Sequence, residues 1–375
     1  MNQLGSVVAQ LPTLITPKGQ DAVGLLGELI VGGGVVVLLV LDLITPPSRR
    51  AWLAAVSGLV LVAALGATVW GWNDAQHPRT VYFGSFSYDR FSLFVNAIVL
   101  LSALLVVIFS PEYLNRRGLH YGEYYALILA STAGMMLLAG ASSLMVIFLG
   151  IELLSISLYI LSGFARGDER SQEAGLKYLL LGGVASGFLL YGMALIYGET
   201  GHTQLEQIAN AVHSSRTLDP LFLIGVVLVL VGFGFKVSAV PFHMWTPDVY
   251  QGAPTSVTTF MSVATKVAAF AALVRVFTYT FTDYYAQWAR LVALVAILSM
   301  VVGNAAALMQ TSVKRMLAYS GIAQAGYMMI GVAVLDSRAT VGVLYYFAAY
   351  AVTNIGAFAV ISIMSRRGED LDSYE

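Results

Sequence analysis

The chain has 375 residues, of which 58% are hydrophobic and only 11% are charged, and its mean hydropathy is +0.77. Soluble domains of this size carry far more charge, so the recurring apolar runs of about 20 residues indicate a polytopic membrane protein. Lys and Arg together number 20 and Asp and Glu 21, which gives no basic excess for nucleic-acid binding. Cysteine is absent, which excludes disulfides and thiolate-held iron–sulfur clusters.

Eleven apolar segments are long enough to cross a bilayer as helices, and they predict an all-α membrane fold. Their expected bounds are 23–44, 51–72, 90–110, 122–140, 142–164, 174–198, 220–245, 254–281, 286–308, 313–335 and 340–364. Between the second and third spans, alternation around Gly84 predicts a short β-hairpin at the surface. Residues 202–218 are expected to form a polar loop with room for one amphipathic turn.

The distribution of basic residues between the loops predicts the orientation of the chain in the membrane. Alternate loops carry paired basic residues: Arg49 and Arg50, Arg116 and Arg117, Arg166 and Arg170, Lys314 and Arg315, Arg366 and Arg367. The opposite loops carry single arginines, at positions 79, 90, 216, 290 and 338. Because cytoplasmic loops are enriched in Lys and Arg, we expect a multi-pass protein of the inner (plasma) membrane with its N-terminus outside and the paired loops in the cytoplasm.

The seventh span, within residues 219–254, carries a lysine beside helix-breaking residues. Lys236 follows Gly232 and Gly234, and Pro241 comes five residues later. Proline removes a backbone donor and clashes with the carbonyl four residues earlier, which predicts a bent or broken helix beside the charge. Transporters commonly place ion sites at interrupted helices near the bilayer midplane. The segment therefore indicates an ion path.

Two other ionisable residues are predicted to lie deep in the membrane. Glu152 is about ten residues from either end of its span, and Lys266 follows the turn at 246–253 by about fourteen residues. Lys236 precedes the same turn by about eleven residues, so both lysines lie roughly 16–21 Å from it on neighbouring antiparallel helices. A carboxylate and two lysines at one depth are consistent with a chain of proton sites. The alternative is a structural salt bridge that fixes helix packing.

Other candidates have more than one interpretation. Lys177 follows Glu173 by four residues, a spacing typical of a surface pair, and it could equally snorkel to the interface or take part in function. His243 follows the predicted break and could act as a proton relay or as an interfacial cap. Three charged residues near the ends of their spans are expected to be interfacial anchors: Glu28, Asp42 and Arg275.

Five motifs resemble the antiporter-like membrane subunits of respiratory complex I, the NADH-quinone oxidoreductase. They are IELLSISLYIL at 151–161, LKYLLLGGVASGFLLYG at 176–192, VPFHMWTPDVYQGAP at 240–254, KRMLAYSGIAQAGYMM at 314–329 and YYFAAYAVTNIGAFAV at 345–360. The form HMWTPDVYQGAP, with Tyr250 and Gly252, is similar to N-type subunits, whereas L-type and M-type subunits usually read HTWLPDA. Mrp-type antiporter subunits share the fold and are more similar to the L and M types. A cation/proton antiporter subunit of Mrp type is therefore the alternative function.

The resemblance implies roles for five residues. The family's glutamate of the fifth helix falls on Glu152, and its lysines of the sixth, seventh and eighth helices fall on Lys177, Lys236 and Lys266. His243 matches the histidine after the helix break. A proton would then move between the lysines, and the glutamate would tune the first of them. At a separation of about 7 Å and an effective dielectric constant of about 20, the attraction of Glu152 for Lys236 is about 2.4 kcal/mol.

The resemblance also implies the partners and the domain plan. Energy would come from quinone reduction in other complex I subunits, which would hold NAD, FMN, iron–sulfur clusters and quinone, while this chain would hold no cofactor and no metal. Its partners would be the other membrane subunits and the lipid bilayer, with no nucleic acid. We expect one membrane domain over 1–375: N-terminal helices at 1–121, a first five-helix unit at 122–281, and an incomplete second unit at 286–375. Family members have about fourteen membrane helices, so the chain is expected to be short at its C-terminus.

Overall fold

The computed structural model describes residues 19–46, 50–119, 121–214, 220–364 and 373. Within these ranges the chain forms fourteen α-helices and one two-stranded antiparallel sheet. The helices are α1 (Gly19–Gly24), α2 (Leu26–Ile44), α3 (Trp52–Trp70), α4 (Arg90–Arg117), α5 (Glu123–Gly140), α6 (Leu144–Ser162), α7 (Glu169–Thr200), α8 (Leu205–Ser214), α9 (Pro220–Lys236), α10 (Trp245–Gly252), α11 (Thr255–Arg275), α12 (Tyr285–Ala307), α13 (Val313–Ala333) and α14 (Ser337–Met364). Four arginines used to predict the orientation lie outside the described residues: Arg49, Arg216, Arg366 and Arg367.

The predicted spans are confirmed as helices. Ten of the helices are long and apolar enough to cross a membrane: α2 to α7 and α11 to α14. The remaining predicted span, the seventh, begins with the shorter apolar helix α9 and is interrupted after it. The all-α membrane fold with a broken seventh helix is therefore the fold of this chain.

Helix α11 forms the centre of the helix bundle. Every residue from Thr255 to Val274 is buried, and the helix packs against α4, α5, α6, α9, α10, α13 and α14. Its sequence is rich in Ala, Ser and Thr, and such small side chains allow neighbouring helices to approach from all sides. Lys266, near the middle of α11, is therefore enclosed by protein on every side.

Several helix pairs are in backbone contact through glycine, and two of them carry Glu152 and Lys236. A Cβ atom added to Gly134 of α5 would lie 2.6 Å from the backbone nitrogen of Leu154 in α6. A Cβ atom added to Gly192 of α7 would lie 2.7 Å from the carbonyl oxygen of Gly225 in α9. Distances below 3.0 Å to backbone atoms cannot be relieved by a side-chain rotation, so larger residues would separate each pair. The α5–α6 and α7–α9 pairs are thus packed as closely as two helices can be.

The predicted hairpin is also confirmed. Strands β1 (Arg79–Val81) and β2 (Phe86–Tyr88) pair antiparallel, and Gly84 adopts a positive φ of 80° in the connecting turn. The backbone nitrogen of Ser142 donates to the carbonyl oxygen of Ser85 at 2.9 Å, which joins the hairpin to the start of α6.

The polar loop after the sixth span contains more helix than the single turn expected. Helix α8 has ten residues. Its buried residues are at helical spacing: Leu205, Ile208 and Val212. Their packing against the bundle stabilises a helix that could not be predicted from the polar composition of the segment.

Arg275 is not the interfacial anchor that its position near the end of a span predicted. Its guanidinium pairs with the carboxylate of Asp89 at 2.9 and 3.2 Å, and the side chains are only 13% and 19% exposed. Asp89 also caps α4, since its Oδ1 accepts from the backbone nitrogen of Ser92 at 2.7 Å. Burial raises the pKa of the Asp89 carboxyl, but the charge and hydrogen bonds of Arg275 and Ser92 outweigh burial and hold the pKa below its ordinary value.

We expect Asp89→Asn to lower the stability of the protein and Asp89→Ala to lower it further. Asn keeps an acceptor for the cap and leaves Arg275 without a counter-charge, which costs up to about 3–5 kcal/mol in a buried site. Ala also removes the cap, at a further cost of about 1 kcal/mol. Melting temperatures of the detergent-solubilised protein at pH 7 provide the measurement. Asp74→Asn is the control, because the Asp74–Arg79 pair is exposed and contributes little.

The pH dependence has a defined sign. The folded-state pKa of Asp89 lies below the unfolded value of about 3.9. The stabilisation is therefore complete above that unfolded value and is lost as the pH falls through the folded-state pKa. The difference in melting temperature between the wild type and Asp89→Asn should shrink at acidic pH. Equal melting temperatures at pH 7 would contradict this account.

Candidate functional site

The interrupted helix ends at the lysine, as the sequence predicted. Helix α9 stops at Lys236, the chain is irregular from 237 to 244, and α10 begins at Trp245. Ser238 has a positive φ of 63°, which turns the chain out of the helical path before Pro241. Lys236 therefore lies at the C-terminal end of a half-helix, where the helix dipole favours a cation.

The Lys236 ammonium is held by hydroxyl groups and aromatic faces. The side chain is 2% exposed, and Nζ donates to Ser155 Oγ at 2.6 Å and to the Tyr159 hydroxyl at 3.5 Å. Nζ also lies 5.4, 5.6 and 5.5 Å from the ring centroids of Tyr159, Tyr178 and Phe235, within cation–π range. The hydroxyl groups and rings therefore take the place of water around the ammonium group, and no carboxylate of the described residues contacts it.

Glu152 lies on the same helix as the main partner of Lys236 but does not touch the lysine. Glu152 precedes Ser155 by three residues on α6, so both face the same side. Its Oε1 accepts a hydrogen bond from the Ser186 hydroxyl of α7. The side chains of Glu152 and Lys236 form no ion pair within 4.0 Å, both residues being in the described part of the chain. A direct salt bridge, the alternative role considered for this pair, is therefore not present in this structure.

The second buried lysine reaches a backbone carbonyl. Lys266 is 1% exposed, its Nζ donates to the carbonyl oxygen of Gly321 in α13 at 2.7 Å, and it lies 5.9 Å from the ring centroid of Tyr250. A Cβ atom at Gly321 would lie 2.8 Å from this Nζ and 3.2 Å from the hydroxyl of Tyr350. The missing side chain at Gly321 therefore makes room for the lysine, and Lys266 links α11 to α13.

Lys177 lies apart from the two buried lysines, at an exposed end of α7. Its side chain is 40% exposed and its Nζ pairs with Glu173 at 2.6 Å, so the predicted surface pair is confirmed. The same Nζ pairs with Asp248 of α10 at 2.7 Å. Arg315 of α13 pairs with the other carboxylate oxygen of Asp248 at 2.7 Å. Asp248 thus bridges three helices beside a cavity of about 270 Å³, an arrangement that the sequence did not reveal.

The second half of the interrupted helix is fixed by aromatic stacking as well as by charge. The Trp245 ring stacks on Tyr178 with centroids 4.3 Å apart and an angle of 7°. Its Nε1 donates to the carbonyl oxygen of Phe235 at 3.1 Å. Helix α10 is therefore held directly over the Lys236 site. His243 lies in the irregular segment, half-buried, and its buried Nδ1 has no hydrogen-bond partner among the described residues.

Lys314 is buried, although the sequence analysis had counted it with the basic residues of the loop at the start of the predicted span 313–335. It lies in the first turn of α13, and its Nζ donates to the carbonyl oxygen of Ala253 at 2.8 Å. Ser312 caps this helix by accepting from the backbone nitrogen of Arg315. The capping serine agrees with the predicted start of this span at residue 313. Within the described ranges, no group of three or more His, Cys, Asp or Glu residues is arranged to hold a metal ion.

We expect Asp248→Asn to destabilise the protein more than Glu173→Gln does. Partial burial raises the pKa of the Asp248 carboxyl, but the hydrogen bonds from Lys177 and Arg315 outweigh burial and hold the pKa below its ordinary value, so the bridge is charged at pH 7. Asp248→Asn removes the charge that joins two helices to α10, whereas Glu173→Gln removes only the second partner of Lys177. Melting temperatures in detergent measure both losses. A loss for Glu173→Gln as large as that for Asp248→Asn would contradict the bridging role.

Comparison with known proteins shows extensive similarity. The family model described as "NADH:quinone oxidoreductase/Mrp antiporter, TM" matches residues 141–375. The chain is 47% identical over 333 residues to NADH-quinone oxidoreductase subunit N of Trichlorobacter lovleyi, which covers 88% of this chain and 68% of the relative. It is 46% identical over 365 residues to the subunit N of Salinibacter ruber, which covers 96% and 70%.

Two solved structures share the fold. One is respiratory complex I from Thermus thermophilus with bound aureothin, with a TM-score of 0.75, 37% identity, and coverage of 91% of this chain and 71% of the matched chain. The other is the Mrp complex from Dietzia sp. DQ12-45-1b, with a TM-score of 0.78, 22% identity, and coverage of 91% and 64%. At 22% identity the second similarity concerns the fold alone.

Proposed function

The chain belongs to the NADH:quinone oxidoreductase/Mrp antiporter membrane family, and we propose that it works as the N-type proton-translocating subunit of an NADH-quinone oxidoreductase. It is a multi-pass membrane protein that takes its place among other membrane subunits of a respiratory complex. Quinone reduction in neighbouring subunits drives proton transfer in this one. The Mrp-type alternative is covered by the same family model and shares the fold at 22% identity, whereas identity to the N subunits reaches 44–47% in several relatives.

One observation carries the proposal: two lysines are buried on the interrupted helix and on the central helix α11, and neither has a carboxylate contact in the described part of the chain. Lys236 donates to hydroxyl groups and Lys266 to a backbone carbonyl. Burying an ammonium is costly, and a lysine that served only packing would be better replaced by an apolar residue. Neutral acceptors, unlike a salt bridge, hold a proton that can also leave. Two such sites on adjacent elements suit stepwise proton transfer.

Each of the predicted residues has a place in this mechanism. Lys236 and Lys266 hold the proton in turn, and Glu152 acts on Lys236 through space from the far side of Ser155. Movement of α6 relative to α9 would change that attraction and so decide whether Lys236 keeps its proton. Lys177 would take part in proton transfer once its ion pairs with Glu173 and Asp248 open, and His243 would act within the helix break.

The same proposal includes the orientation and the plan of the chain. The N-terminus lies outside and the loops with paired basic residues lie in the cytoplasm. The N-terminal helices (1–121), the first unit (122–281) and the second unit (286–375) form one membrane domain. NAD, FMN, iron–sulfur clusters and quinone belong to partner subunits.

We expect Glu152→Gln to lower proton pumping sharply, by roughly tenfold or more, while the subunit stays in the membrane complex. Gln keeps the hydrogen bond from Ser186 and removes the charge that acts on Lys236. Glu152→Asp should be milder because the charge remains on a shorter side chain. Pumping is measured in inverted membrane vesicles with a pH-sensitive dye. The matched control is Glu169→Gln, at an exposed position in the first turn of α7.

A charge-exchanged variant, Glu152→Lys with Lys236→Glu, separates the switch from a static ion pair. A static pair would regain full activity, whereas a proton site would not, because a glutamate does not replace the lysine as a proton carrier. Normal pumping by Glu152→Gln, or full recovery in the exchanged variant, would rule out this mechanism.

The second lysine is tested by changing its surroundings as well as the residue itself. We expect Lys266→Ala to leave the complex assembled and still oxidising its electron donor in part, because α11 is held by many apolar contacts. Pumping should fall strongly. Gly321→Ala should give an intermediate loss, because the added Cβ atom crowds Nζ and leaves the charge in place. Loss of the subunit from the complex on native gels would instead show that Lys266 is structural.

A further inference from the structure

The first membrane helix carries a buried carboxyl group far along the chain from the lysines. Glu28, in the first turn of α2, was expected to be an interfacial anchor, but it is only 8% exposed. Its Oε1 accepts a hydrogen bond from Nδ2 of Asn96 in α4 at 2.9 Å. The anchor interpretation is therefore wrong, and Glu28 faces the interior of the N-terminal helices.

The partner of Glu28 lacks a hydrogen-bond donor. Asn96 is 2% exposed, and its Oδ1 is buried with no hydrogen-bond partner within the described ranges. A carboxylate cannot supply a donor, because both of its oxygens only accept. Rotating the amide by half a turn does not help, because it places Oδ1 against Oε1, two acceptors facing each other. With the amide in that rotated orientation, a proton on Glu28 donates to Oδ1 across the same contact.

In the part of the chain that the structure describes, no cation compensates a charge on Glu28. None of the Lys, Arg or His side chains that the structure describes lies within 4.0 Å of its carboxyl oxygens, whereas Asp42, at the other end of the same helix, pairs with Arg50 at 3.0 Å. A position in the first turn of a helix favours a carboxylate. That effect is small beside the cost of burying an unpaired charge, and a buried group in this situation takes up a proton instead.

We propose that Glu28 is a protonated carboxylic acid which, with Asn96, forms a proton-holding site separate from the lysine path and open to modification by hydrophobic carbodiimides. The next residue, Leu29, is about half exposed on the outer surface of α2, so a lipid-soluble reagent can reach this helix from the bilayer. The site holds its proton through an amide and an acid, in contrast to the hydroxyl and carbonyl contacts of the two lysines.

The modification is a simple addition. The carboxyl oxygen of Glu28 bonds to the central carbon of the carbodiimide, and the acid proton passes to one of its nitrogens, which gives an O-acylisourea. The acyl group then migrates from oxygen to a nitrogen atom, which gives a stable N-acylurea. Every atom of both reactants remains in the product, and no oxidant or reductant takes part. An ionised, ion-paired carboxylate lacks the proton that this addition needs.

The test is carried out on the whole complex in its native membranes. Membranes are treated with dicyclohexylcarbodiimide at neutral pH, and the chain is digested and analysed by mass spectrometry. We expect an N-acylurea on Glu28 and none at that position in Glu28→Gln. Asp42, on the same helix and paired with Arg50, serves as the internal control and should be at least about tenfold less modified. Modification of Glu28 no greater than that of Asp42 would overturn the proposal.

A second measurement removes any dependence on reagent access. The infrared spectrum of the wild-type complex should contain a carbonyl stretching band of a protonated carboxyl group that is absent from the spectrum of Glu28→Gln. Gln fits the same space and can still pair with the amide of Asn96, so the variant should assemble. Identical carboxyl bands in the two spectra would overturn the proposal. Neither readout depends on proton pumping, so failure here is distinct from failure of the proposed function.

Discussion

An ammonium group buried in an apolar helix bundle needs protein groups to replace its hydrogen bonds to water. Much of this structure follows from that constraint, which applies to both Lys236 and Lys266. Lys236 lies where the chain leaves the helix, beside the hydroxyl of Ser155 and three aromatic rings. Lys266 lies in a helix of small residues and reaches a carbonyl where a glycine leaves space. Three features therefore serve the same purpose, which is to give a buried lysine polar contacts without water: the helix break, the small residues of α11 and Gly321.

The interrupted helix also needs its second half held in place. Helix α10 has only eight residues, too few to keep a position by its own stability. Trp245 stacks on Tyr178, and Asp248 joins Lys177 of α7 to Arg315 of α13. These contacts hold α10 against α7 and α13. The side chains around Lys236 therefore stay in place although α9 ends at this residue.

The sequence predicted what local signals determine. Apolar length located the spans, Gly84 located the hairpin, and Pro241 located the break, because each signal acts within a few residues. Glu28, Arg275 and Lys314 were misjudged for a common reason: position along a span gives depth, but burial depends on which neighbouring helix lies opposite. Asn96, Asp89 and Ala253 are each far away in sequence. The lack of contact between Glu152 and Lys236 has the same origin, since spacing does not give the rotation of one helix about another.

The glycine contacts have a mechanical consequence. Because α5 and α6 touch through their backbones, as do α7 and α9, neither pair can separate or rotate internally without losing that packing. Glu152 belongs to the first pair and Lys236 to the second. A change in the distance between their helices therefore requires one pair to move against the other, and the contact of Gly175 in α7 with the backbone of Gly163, directly after α6, limits that movement. The hydrogen bonds from Lys236 to Ser155 and from Ser186 to Glu152 cross between the two pairs, so a shift of one pair against the other would change the contacts of both ionisable residues.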